Sequence, residues 1–172
     1  MEPAISLAGS IRWRAPLGWT SRRAFGQASS RAPAAPAEAL AGHILLVEDN
    51  RINQMVAGRM LDKLGLSYDI AENGRVALET SRAAHYDLVL MDMQMPEMDG
   101  IEATRAWRAR EAETGAPRVP IVAMTANALD EDRVHCLAAG MDDHLAKPVE
   151  MDKLAAVMKH WLAEGGKPPV TE

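Results

Sequence analysis

Short apolar runs alternating with amphipathic stretches of helical period, across residues 43–163, predict an α/β domain with a doubly wound parallel sheet. Three features carry that prediction. Five candidate strands alternate with five candidate helices. The first, third and fourth runs are almost wholly apolar, as strands buried on both faces must be. The first, third, fourth and fifth runs also end in chemically able residues, where such sheets place their ligand sites.

Taken in order, "SSRAPAAPAEALAG" reads as linker, and order is expected from about His43. The first strand is "HILLV" (43–47). A stripe of Ile52, Met55, Val56, Met60 and Leu64 follows at helical spacing, stopped by Gly65. "SYDIA" (67–71) carries Tyr68 and Asp69 and suits a sheet edge. "NGRVALETSRAA" (73–84) is a second helix, "DLVLM" (87–91) the third strand and "GIEATRAWRAR" (100–110) the third helix. "PIVAM" (120–124), "ALDEDRVHCLAAG" (128–140, with Gly140 at the stop) and "DHLAK" (143–147) come next. Met151, Leu154, Val157, Met158 and Trp161 mark the last helix.

Composition bounds the function. Of the 172 residues, 48% are apolar and 25% charged, which fits one soluble domain with excess chain. Cys136 is the single cysteine, so neither an internal disulfide nor a multi-cysteine metal site exists, and a buried small hydrophobe is expected there. Residues 1–40 carry Arg12, Arg14, Arg22, Arg23 and Arg31 against Glu2 and Glu38, while the whole chain is −5. The remainder is therefore strongly acidic, and no nucleic-acid partner is expected. No apolar run reaches the roughly 18 residues that would span a bilayer. "TSRRAFGQA" has the look of a twin-arginine export motif, but no hydrophobic stretch follows it, so residues 1–42 are read as a disordered or linker-like extension. "EGGKPPVTE" (164–172) reads as a short flexible tail, and a cytoplasmic location is expected.

The strand ends are the informative positions. Strand one ends in Glu48, Asp49 and Asn50, strand three in Asp92, strand four in Thr125 and strand five in Lys147. Neighbouring strands would set Asp49 beside Asp92. Crowded carboxylates repel, and a hard cation such as Mg²⁺, which takes oxygen ligands and keeps several waters, relieves that repulsion. Together with an ammonium and a hydroxyl, such a site is equipped for phosphoryl transfer to a carboxylate, with Asp92 as the nucleophile. Singly, each of these residues is more simply a helix cap or a solvated surface charge. Jointly they outweigh that reading.

Two rival chemistries fail on particular residues. A haloacid-dehalogenase-type phosphatase needs a second Asp two positions after the first, and Asp92-Met93-Gln94 puts a carboxamide there, which cannot transfer the proton. A flavin mononucleotide carrier needs a glycine- or hydroxyl-rich loop after strand one, where "EDN" would repel phosphate. A docking module that never turns over phosphate stays open, although unrelieved carboxylate repulsion argues against it.

"ILLVEDNRINQMV", "DLVLMDMQMPEMDGIEATR", "PIVAMTANA" and "GMDDHLAKPV" resemble the response regulator receiver domain of two-component signalling, especially receivers of hybrid sensor histidine kinases. The resemblance covers residues 43–163. It implies a flavodoxin-like (βα)5 fold with strand order 2-1-3-4-5. It further implies that Asp92 takes a phosphoryl group from a histidine kinase or histidine phosphotransfer domain and catalyses only its own phosphorylation and dephosphorylation. Asp49, Asp92 and the backbone carbonyl of Gln94 would hold Mg²⁺, with Glu48 acting largely through water. Thr125 and Lys147 would bind phosphoryl oxygens, and the Lys147–Pro148 peptide would be cis. Pro96 and Gly100 would shape the loop beside Asp92.

The resemblance also implies a downstream protein docked on the face made by the fourth helix, fifth strand and fifth helix. His144 stands where the family usually has an aromatic switch that follows the Thr125 hydroxyl inward, so a weaker or pH-dependent switch is expected. Gln94 and Asn127, two residues after the acceptor and the threonine, would tune the lifetime of the acyl phosphate. The chain is read as a stand-alone receiver or phosphorelay intermediate. The alternatives are a detached receiver piece of a hybrid kinase and the phosphorylation-independent docking module.

Overall fold

The computed structural model describes residues 40–126 and 130–163, with the backbone alone at 130–132. Its elements are β1 (His43–Val47), α1 (Arg51–Lys63), β2 (Ser67–Ala71), α2 (Gly74–Ala83) and β3 (Leu88–Asp92). They continue with α3 (Gly100–Thr114), β4 (Ile121–Thr125), α4 (Asp130–Ala139), β5 (Asp143–Ala146), α5 (Met151–Met158) and a π-helical turn over Lys159–Ala163. All strand pairings are parallel, in the order β2-β1-β3-β4-β5. This is the flavodoxin-like arrangement, with the half-exposed β2 at an edge.

Side-chain parity divides the core. Ile44, Leu46, Leu88, Leu90, Val122, Met124 and Leu145 point to one face, where α1 covers them with Ala57 and Leu61 and α5 with Leu154 and Met158. Leu45, Val47, Val89, Met91, Ile121 and Ala123 point to the other, beneath Ala77 of α2, Trp107 of α3 and Cys136 of α4. Each Val, Leu, Ile or Met among them, fully withdrawn from water, contributes about 1.5–3 kcal/mol against chain entropy. Cys136 is buried as a small hydrophobe, its Sγ 3.7 Å from Met93 Sδ.

Three details differ from the reading of the sequence. β3 and β4 end one residue later, so Asp92 and Thr125 are the last residues of their strands. Backbone bonds make the difference: Met93 N donates to Met124 O at 3.2 Å, and Lys147 N donates to Thr125 O at 2.7 Å. β5 stops at Ala146, before the cis Lys147–Pro148 peptide. The α1 stripe does not face the core as a unit. Ile52, Met55 and Val56 are 72%, 58% and 46% exposed, whereas Ala57, Gly58 and Leu61 are buried. Small residues bring α1 close to the sheet, with the Tyr68 ring packed against Gly58. Gly65, at φ 76°, takes the left-handed turn that ends this helix, as Gly140 does at φ 99° after α4.

Candidate functional site

Parity and register assemble the site. Glu48, Asp92 and Lys147 continue the alternation of Leu46, Leu90 and Leu145, so all three project to the α1/α5 side of the sheet. Val47 pairs with Met91, which sets Glu48 opposite Asp92 one step beyond the register. Glu48 is 1% exposed and Asp92 4%. Lys147 Nζ lies 2.7 Å from Glu48 Oε2 and 2.7 Å from Asp92 Oδ2, bridging the two. Asp49 has the opposite parity and lies exposed at the rim, yet one oxygen from each of Glu48, Asp49 and Asp92 falls within 4.8 Å of the others. Three converging carboxylate oxygens are a hard-cation donor set, and the residues present fit Mg²⁺.

Electrostatics follow from burial. Desolvation pushes the Asp92 carboxyl above the usual carboxylate range, and the Glu48 charge adds to it. The bonds from Lys147 and from Gln94 N only partly oppose this. Burial alone would lower the Lys147 ammonium, but hydrogen bonds to Asp92 and Glu48 outweigh it, and its pKa is raised. Lys147 therefore stays charged and serves two anions.

The loop after β3 exposes the acceptor. Gln94 N donates to Asp92 Oδ1 at 3.2 Å, and Gly100 N donates to Met93 O at 3.3 Å. A Cβ at Gly100 would collide with the Asp92 carbonyl, so α3 can begin so close to the strand end only because residue 100 is glycine. Asp99 caps α3 by accepting from Glu102 N at 2.8 Å. Glu97, at φ 67°, is bound by Arg75 at 2.7 Å, which ties the loop to α2.

Of the other expected site residues, Thr125 is buried at the end of β4. The Gln94 side chain is exposed beside the acceptor. The His144 side chain is 33% exposed, with Nδ1 3.7 Å from Asp143 Oδ1, and it borders a shallow cleft with Cys136 and Leu137 of α4. Asn127 lies outside the described residues. The sequence reading missed Asn53 and Gln54. Asn53 Nδ2 donates to Glu48 Oε1 at 3.0 Å, and Gln54 Nε2 donates to the Glu48 carbonyl at 2.7 Å. Their signal lies in "EDNRINQ", where two carboxamides fall one turn after the Asn50 cap and so fold back over Glu48.

Residues 44–159 match the family model of the response regulator receiver domain. The chain belongs to that family. This receiver is 44% identical over 117 residues to the aerobic respiration control sensor protein ArcB of Escherichia coli, covering 68% of this chain and 15% of that protein. Histidine kinase 5 of Arabidopsis thaliana is 43% identical over 143 residues, covering 69% and 15%. The chain spans 8% to 15% of the length of such relatives.

Among solved structures, the receiver domain of the Pseudomonas aeruginosa sensor histidine kinase PA1611 has 44% identity and a TM-score of 0.64 over 72% of this chain and 98% of that one; it holds a magnesium ion in its active-site cleft. The Saccharomyces cerevisiae Ssk1 receiver, crystallised with the histidine phosphotransfer protein Ypd1, has 33% identity and a TM-score of 0.71 over 76% and 95%. The receiver is thus a signalling domain of two-component phosphorelay systems. No described helix is long and apolar enough to cross a membrane.

Proposed function

We propose that Asp92 is the phosphoacceptor of this receiver, that it takes its phosphoryl group from a phosphohistidine in the presence of Mg²⁺, and that acceptance changes affinity for a partner protein. One observation carries the reading: a buried aspartate at a strand end shares a single lysine with a second buried carboxylate, with Asp49 open beside them. The Asp92 carboxylate attacks phosphorus as the phosphorus–nitrogen bond breaks, and the donor imidazole leaves with that electron pair. The product is an acyl phosphate. Lys147, already at Asp92, transfers its hydrogen bond to a phosphoryl oxygen, and the Thr125 hydroxyl donates to another. Bound Mg²⁺ would neutralise charge on the transferring group, with Asp49, Asp92 and the Gln94 carbonyl as ligands and Glu48 acting through water.

The donor docks on α1, which exposes the apolar Ile52, Met55 and Val56. Val56 and Ala57 also wall a cavity of about 390 Å³ that reaches Glu48 and Lys147. Val134 and Leu137 are exposed apolar residues on α4, in keeping with a downstream protein on the α4–β5–α5 face. His144 lies on that face and gates it, and Gln94 and Asn127 set the lifetime of the acyl phosphate. The functional unit is residues 43–163, acting in the cytoplasm. Intact-mass spectrometry after incubation with acetyl phosphate tests the reading. A single phosphoryl adduct that requires both Mg²⁺ and Asp92 is expected. An adduct that persists in Asp92→Asn refutes Asp92 as the acceptor, and no adduct from acetyl phosphate or from a phosphohistidine donor leaves the constitutive docking module.

A further inference from the structure

Glu48 poses a problem of placement. Its carboxylate is close enough to those of Asp49 and Asp92 for all three to take one cation, yet the proposed chemistry needs Lys147 held at Asp92. A third carboxylate turned onto the metal would compete with its bond to the lysine. Both Glu48 oxygens are already occupied. Oε2 is paired with Lys147 at 2.7 Å, and Oε1 accepts from Asn53 Nδ2 at 3.0 Å and from Asn50 N at 3.2 Å. Gln54 grips the Glu48 carbonyl at 2.7 Å, so the first turn of α1 fixes backbone and side chain together.

Asn50 spends its own side chain on the cap, accepting from Ile52 N at 2.9 Å. Asn53 is therefore the side chain of α1 that governs which way the carboxylate turns.

We propose that Asn53 is a positioning residue for phosphoryl acceptance: its carboxamide occupies Glu48 Oε1, which keeps Oε2 on Lys147 and Oε1 from ligating the metal. The inference rests on the phosphoacceptor reading of Asp92. Removing the carboxamide leaves Oε1 with one backbone donor. The Lys147 ammonium is already shared by Glu48 Oε2 and Asp92, so a buried Oε1 short of a partner gains from a cation between Asp49 and Asp92. Metal binding then tightens while Lys147 loses its alignment. The expected signature is two effects of opposite sign, which a purely structural hydrogen bond would not give.

The test compares wild type, Asn53→Ala, Asn53→Gln and Asp92→Asn. Calorimetry measures Mg²⁺ binding without donor, and intact mass follows phosphorylation over a range of acetyl phosphate concentrations. Loss of one charge-assisted hydrogen bond predicts Mg²⁺ binding about tenfold to a hundredfold tighter in Asn53→Ala, and a maximal phosphorylation rate lower by about the same factor. The half-saturating donor concentration should stay put, and Asn53→Gln, which keeps the donor, should recover most of both effects. Unchanged Mg²⁺ affinity and rate in Asn53→Ala, with only a lower urea midpoint, overturns the proposal. Weaker Mg²⁺ binding overturns it as well. Should wild type take no phosphoryl group at Asp92, the phosphoacceptor reading fails by itself, and the Mg²⁺ titration still decides how Asn53 treats Glu48.

Discussion

The ammonium of Lys147 and the carboxylate of Asp92 stand 2.7 Å apart, with Asp92 almost wholly out of water. Because the same ammonium serves Glu48 at 2.7 Å, Lys147 stabilises two buried anions at once. Lys147→Ala leaves both without it, and breaking a buried pair from one side costs about 3–5 kcal/mol. A metal bound by the same carboxylates replaces part of that charge. At a hundred times its dissociation constant, a bound ion adds about 2.7 kcal/mol. Urea denaturation should therefore show a large loss for Lys147→Ala in chelator and a smaller one in excess Mg²⁺. Equal losses in both would mean that the metal does not share these carboxylates.

Asp92 itself is expected to weaken the metal-free fold. Its carboxyl is raised in the folded state by burial and by the Glu48 charge, so the folded protein holds that proton more tightly than the unfolded chain does. Between the unfolded value and the raised folded value, the native state binds more protons, and stability falls as pH rises through that window. Above it the penalty is complete. Asp92→Asn should thus be more stable than wild type at neutral pH in chelator, because burial outweighs the offset from Lys147. The advantage should shrink as pH falls toward the ordinary aspartate range. A constant difference across pH would remove the titration argument.

How much of this was legible beforehand depends on which interactions are local. Strands and helices followed from apolar period, and Glu48, Asp49, Asp92, Thr125 and Lys147 from their places at strand ends, because topology alone brings those ends together. What the sequence hid depends on rotation and reach. Ile52, Met55 and Val56 have helical spacing, but spacing does not say which side of α1 meets the sheet; Ala57, Gly58 and Leu61 do. Asn53 looks like an ordinary polar residue of a first helical turn until the fold places Glu48 beneath it. The polar cluster at the far end of β4 and β5 was also invisible, since Arg108 and Asp142 belong to elements distant in sequence.

That cluster supports a stability prediction separate from the phosphoryl site. Arg108 donates to Glu111 Oε2 at 2.7 Å, Asp142 Oδ2 at 2.7 Å and the carbonyls of Val119 and Gly140 at 2.9 Å each. Its side chain is 12% exposed, against 10% for Glu111 and 6% for Asp142. Arg118 also pairs with Asp142 at 2.8 Å but is 56% exposed. Arg108→Ala should cost about 3–5 kcal/mol, because it leaves buried Glu111 without its guanidinium partner and buried Asp142 dependent on the exposed Arg118. Arg118→Ala should cost only about 1 kcal/mol, because its charge remains in water. Trp107, whose Nε1 donates to Glu111 at 3.1 Å, provides a local fluorescence probe of the first change. Equal losses from the two substitutions would contradict the burial argument.

The exposed apolar patch on α1 makes the most direct functional prediction. Ile52 and Met55 contribute little to the core, being 72% and 58% exposed, so replacing both with serine should shift stability by no more than about 0.5 kcal/mol. If the phosphohistidine donor docks there, the double variant loses apolar contacts at the centre of that interface, and such anchors cost more than about 1 kcal/mol each when truncated. Transfer from a phosphorylated histidine phosphotransfer protein should then fall by about tenfold or more in kcat/KM. Acetyl phosphate needs no docking surface, so phosphorylation from it should be unchanged, which separates loss of docking from damage to Asp92, Lys147 or the metal ligands. Equal loss from both donors would place the defect in the site. No loss from either would move the docking surface off α1.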